Sequence, residues 1–156
     1  MGASGWEYVV PYQDLEAALG ALRRQVFASG DWVKPDDYDD VFDLPVPESV
    51  EALTGDQRYW EFMGTSGTHS IIDMQSVIPA DFTGDEEEEF GTIRPLSEKQ
   101  YLALFGVSQP GRAEYAAIDK SAMYDYVTGG RWTGRAAVLW DGGAPAEIVF
   151  WGISGD

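Results

Sequence analysis

The chain contains no cysteine, a single histidine and only 10 basic residues among 156. Without thiols it can form no disulfide, zinc–thiolate centre, iron–sulfur cluster or cysteine nucleophile. The lack of cysteine fits a reducing cytoplasm. One histidine and no cysteine leave few metal options beyond oxygen-only sites at the acidic loops, and the expectation is no metal and no cofactor. No apolar run approaches the roughly 20 residues that cross a bilayer. The opening Met1-Gly2-Ala3-Ser4-Gly5-Trp6 has no basic or apolar leader region, so no signal peptide is expected, and the location read from this is cytoplasmic.

Positive charge is scarce. Against the 10 basic residues stand 27 acidic ones, for a formal net charge of −17. Such a field repels nucleic-acid phosphates and anionic lipid. Direct nucleic-acid binding and membrane-surface binding are therefore not expected, and a basic protein partner is favoured. The charge is also uneven. Residues 31–51 hold eight acids and one base, and residues 81–89 hold six acids and no base. Thirteen of the net seventeen negative charges thus fall in two segments.

What is present is enough for a core. Apolar residues make up 44% and aromatic residues 13%, with six tryptophans. A chain this long, without repeats or a long linker, reads as one globular domain over residues 1–156.

The pattern predicts an α+β fold. Trp6 to Val10 reads as a strand ending at Pro11. Leu15, Leu19, Leu22, Val26 and Phe27 recur at helical spacing between Asp14, an N-cap, and Gly30, a stop. Residues 31–47 carry three prolines and no clean period, and read as an irregular segment pinned by Trp32, Val41, Phe42, Leu44 and Val46. A short helix follows from Pro47 to Leu53, and the backbone of Tyr59 to Met63 stays unassigned. Residues 68–77 read as a strand. Ser97 and Gln100 form a capping box opening a helix whose buried side is Leu102 and Phe105. A longer helix is expected from Pro110 to about Val127. Ala136 to Trp140 and Glu147 to Ile153 flank a five-residue loop and form a C-terminal hairpin, its last strand central because both faces are apolar. The expected architecture is an antiparallel or mixed sheet of about four strands with helices mainly on one face.

Three constellations could carry function. The first is the pair of acidic segments. Asp36, Asp37, Asp39, Asp40 and Asp43, with Asp85, Glu86, Glu87, Glu88 and Glu89, would steer a basic partner, and Trp32, Tyr38 and Phe42 would anchor it. The plainer reading is two solvated loops. A calcium loop fails because the positions needing a ligand and a glycine are Val41 and Phe42. The second is Gly64-Thr65-Ser66-Gly67-Thr68-His69-Ser70-Ile71-Ile72-Asp73, which collects Ser66, His69 and Asp73 as weak candidates for hydrolysis. If residues 68–77 form a strand, His69 and Asp73 stand about 13 Å apart, too far for a local triad. The third, Gly129 to Arg135, reads as a helix-to-strand connection.

The Gly67 to Asp73 stretch and the ending Glu147-Ile148-Val149-Phe150-Trp151-Gly152-Ile153-Ser154-Gly155-Asp156 resemble a pattern in small uncharacterised bacterial proteins. That resemblance covers under a fifth of the chain and implies a bacterial source with no assigned activity. In charge and size the chain is similar to small acidic immunity proteins, which neutralise basic toxic nucleases. The leading expectation is an acidic protein-binding module, of inhibitor or immunity type, acting as a monomer or small homo-oligomer. A small hydrolase or ligand-binding enzyme centred on His69 is the first alternative, and a structural or assembly component the second.

Overall fold

A computed structural model of the chain describes residues 4–38, 41–85, 89–127 and 130–155. Among the described residues, five strands form one mixed sheet and six α-helices cover both its faces. The strands are β1 (Gly5–Pro11), β2 (Ser76–Val77), β3 (Thr92–Pro95), β4 (Thr133–Asp141) and β5 (Ala144–Ile153). The helices are α1 (Leu15–Ser29), α2 (Val50–Gly55), α3 (Trp60–Thr65), α4 (Glu98–Phe105), α5 (Arg112–Ala117) and α6 (Lys120–Tyr124). The sheet order is β1-β5-β4-β3-β2; β5 pairs antiparallel with β1 and β4, while β4, β3 and β2 run parallel.

The expected central strand is central. Ile148 and Phe150 of β5 enter the core beneath α1, and Val149 and Trp151 enter a second core beneath α4, α5 and α6. Adjacent residues of a strand point to opposite faces, so an unbroken apolar run needs cover on both sides. That is why helices lie on two faces rather than mainly on one. The sheet has five strands rather than four because β3 is only four residues long and ends at Pro95, too short to carry a period.

Caps set the helix ends where expected. The Asp14 carboxylate accepts from the Ala17 amide at 3.1 Å, and Gly30 closes α1 in the left-handed region at φ 74°. Ser97 and Gln100 form the reciprocal box at the start of α4. The helix expected over 110–127 is broken in two: Ile118 turns extended and Asp119 caps α6 by accepting from the Ser121 amide. Leu102, expected to be buried, is half exposed, and Phe105 packs inward with Tyr101 and Leu104 beside it. The hairpin loop is two residues, not five. Gly142 and Gly143 both take positive φ, 58° and 80°, as a tight turn matching strand twist requires. In the irregular segment Trp32 is buried and Phe42 and Leu44 pack on the core, but Val41 and Val46 point outward.

Candidate functional site

Of the strand expected over residues 68–77, only Ser76–Val77 forms one. Gly67 takes φ 68°, His69 takes φ 54°, and Ile71–Asp73 wind into one 3-10 turn before the two-residue β2. Local side chains account for this. Ser70 accepts from the Ile72 amide, so short polar groups compete with the sheet for backbone donors. Asp73 is nearly fully buried and turns its carboxylate back onto the loop. One oxygen accepts from the Thr68 amide at 2.7 Å and the Thr68 hydroxyl at 2.9 Å, and the other accepts from the Ser154 hydroxyl at 2.5 Å. Ser154 in turn accepts from the Trp6 indole at 3.2 Å. Burial raises the Asp73 carboxyl above the usual range; the hydrogen bonds from Ser154 and Thr68, and the nearby His69, act in the opposite sense. The carboxylate thus ties the 66–73 loop to the end of β5.

On the outer side of this loop lies a cleft of about 320 Å³ lined by Ser4, Tyr38, Val41, Phe42, Ser66 and His69. It is mostly apolar. The Ser66 hydroxyl donates to the Tyr38 hydroxyl at 2.7 Å, and Ser4 shares a 3.1 Å hydrogen bond with Nδ1 of His69. Tyr38 packs edge-on to Phe42, which packs edge-on to Phe62 in the core. The two sequence-predicted clusters therefore meet: the aromatic anchors Tyr38 and Phe42 share a cleft with Ser66 and His69. They do not make a Ser-His-Asp relay. Ser66 is committed to Tyr38, and Asp73 to Thr68 and Ser154. Both end members of such a relay are engaged elsewhere.

The acids divide. Asp36, Asp37 and Asp43 are exposed beside this cleft in sequence, Asp37 also accepting from the Lys34 amide at 2.7 Å. Asp85 is exposed on the β2–β3 connection. Asp39, Asp40, Glu86, Glu87 and Glu88 lie outside the described residues. Two residues expected to meet a partner are turned inward. Glu89, expected to steer a partner, is buried and pairs with Arg94 at 2.8 Å and Arg135 at 3.2 Å. Arg135 is fully buried, and that burial lowers its guanidinium from the ordinary range. Two strand-borne cations on one face of the sheet require a carboxylate there. Trp32, expected as an anchor, stacks on Phe27 at 5.0 Å and donates its indole to the Phe27 carbonyl. Tyr38, Phe42 and Leu44 pack on the α1 core, whereas Glu89 turns to the opposite face of the sheet, so Glu89 shares no acidic surface with Asp36, Asp37 and Asp43.

A second cleft of about 330 Å³ escaped sequence reasoning. Its walls are Thr54, Trp60, Met63, Gln75, Phe90 and Trp132, and the Asp73 segment borders it. Trp60 is 58% exposed and Phe90 50%. Among the described residues no group of three or more His, Asp or Glu side chains is placed to hold a metal ion, and no helix is long and apolar enough to cross a membrane. No protein family, curated protein or solved structure matches the chain.

Proposed function

We propose that the domain is a protein-binding module that engages a basic partner through the Tyr38–Phe42–His69 cleft and the acids beside it. One observation carries this reading. Val41 is an aliphatic side chain left 68% exposed at the edge of an aromatic cleft, within a segment that also carries exposed Asp36, Asp37 and Asp43. An apolar centre with a charged rim is the usual anatomy of a protein interface. The net charge of −17 supplies long-range attraction for a basic surface and repulsion for phosphates. Inhibition of a toxin or another nucleic-acid-handling protein is the concrete form.

Screening the purified domain against a display library of folded domains, half strongly basic and half near neutral, tests this reading. Binders should be drawn from the basic half, with affinity falling at least roughly tenfold between low and physiological salt. The paired change Val41→Ser with Phe42→Ala should weaken them further. Binders spread evenly over both halves, or indifferent to salt, would end the reading.

A second reading has one observation behind it. His69 holds a left-handed backbone, φ 54°, at the wall of a cleft, and such strain gathers at functional sites. If His69 serves hydrolysis, an esterase or phosphatase panel should show turnover that His69→Asn removes with the fold intact.

A further inference from the structure

The second cleft is built unlike a packing defect. Trp132 takes φ 66°, a conformation that bulky residues rarely adopt, and glycines on either side hold it there. A Cβ on Gly67 would stand 2.3 Å from its ring, and one on Gly155 would stand 2.1 Å from it. The ring is thus clamped, with Phe90 tilted against it at 5.4 Å. Trp60 and Phe90 rise beside it as the exposed walls. Two large aromatics left open beside a strained and immobilised third form a preorganised surface.

The chemistry of the walls selects a cation. Aromatic faces carry negative quadrupole and attract guanidinium or ammonium groups within about 6 Å. No lysine or arginine is among the side chains lining the cleft. Exposed Glu61 follows Trp60, exposed Asp85 lies on the connection that leads to Phe90, and the net charge of −17 favours a cationic ligand over an anionic one. We propose that the Trp60–Phe90–Trp132 cleft receives an arginine side chain of the protein partner, its planar guanidinium stacked against the aromatic walls. The proposal rests on the basic-partner reading and adds a second, separate point of attachment to it. Arginine is preferred to lysine because a flat, weakly hydrated cation stacks on rings as well as pairing with charge.

The test uses the full chain labelled with nitrogen-15, reading the tryptophan indole signals as N-acetyl-arginine N-methylamide is added. The neutral isostere N-acetyl-citrulline N-methylamide is the control. Saturable shifts of the Trp60 and Trp132 indoles are expected with the arginine probe. Citrulline should bind roughly tenfold more weakly, the size of a cation–π contribution in a partly desolvated site. Trp60→Leu and Phe90→Leu, both at exposed positions, should each remove the response, and Trp140→Phe on β4 should not. Equal binding of citrulline, or an unchanged arginine response in both leucine variants, would overturn the proposal. So would indole shifts that track protein concentration without probe, which would mean a second copy fills the cleft. Failure here stays distinct from failure of the basic-partner reading. Basic-domain binding lost with the Val41 and Phe42 changes but kept with Trp60→Leu would remove this cleft alone.

Discussion

Replacing Asp73 tests how the 66–73 loop is held. Its carboxylate accepts three hydrogen bonds, from the Thr68 amide, the Thr68 hydroxyl and the Ser154 hydroxyl. In Asp73→Ala the Thr68 hydroxyl can turn to Ser70, 2.7 Å away, but the amide and Ser154 are stranded. Two buried donors at about 1–3 kcal/mol each give a loss of about 2–6 kcal/mol. Relief from burying a carboxylate offsets part of this, leaving about 3 kcal/mol. Asp73→Asn keeps an acceptor for Thr68 and should lose about 1 kcal/mol. Urea unfolding followed by tryptophan fluorescence should show the alanine midpoint lowered by about 1–2 M with an unchanged slope. The pH dependence follows from the raised carboxyl. The folded state holds this proton more tightly than the unfolded chain, so stability from this group is greatest below the ordinary aspartate range. It declines as pH rises from that range through the folded value. The advantage of wild type over Asp73→Asn should therefore shrink as pH rises across that window. An alanine variant within about 0.5 kcal/mol of wild type would refute the clamp, and an advantage that grows with pH would refute the assigned direction.

Glu89→Gln should cost about 3–5 kcal/mol in chemical denaturation, because fully buried Arg135 loses its countercharge. A surface carboxylate would give a near-zero change instead. Gly155→Ala should lower stability by about 1–3 kcal/mol through overpacking on the Trp132 ring, and should shift the Trp132 indole signal. An alanine accommodated with neither effect would mean that the ring is not clamped.

The parts of the fold legible in the sequence are those where local chemistry and tertiary packing agree. The α1 helix has Asp14, Gly30 and a regular apolar stripe, and the structure uses all three. The β5 strand announces its central place by being apolar on both faces. Where the two levels conflict, the sequence misleads. Ile71, Ile72 and Met74 look like a strand, but Ser70 and Asp73 supply the backbone with nearer partners. Glu89 looks like the last of a solvated acidic run, but Arg94 and Arg135, the latter 46 positions away, make it a buried counter-ion. Trp32 and Trp60 both stand in polar surroundings; the one folds onto Phe27, while α3 turns Phe62 and Met63 inward and leaves the other outside. The first cleft was half legible. Tyr38, Phe42, Ser66 and His69 each stand out in the sequence, but no local pattern encodes the pairing of the two segments, in which the Val33 amide donates to the Thr68 carbonyl and Ser66 to Tyr38.

Isothermal titration of a captured basic domain at two ionic strengths tests the Tyr38–Phe42–His69 cleft most directly. The wild type and the Val41→Ser, Phe42→Ala variant would be compared. Affinity that weakens at least roughly tenfold with salt, and again with the paired change, is the predicted result. Affinity unmoved by either would contradict it.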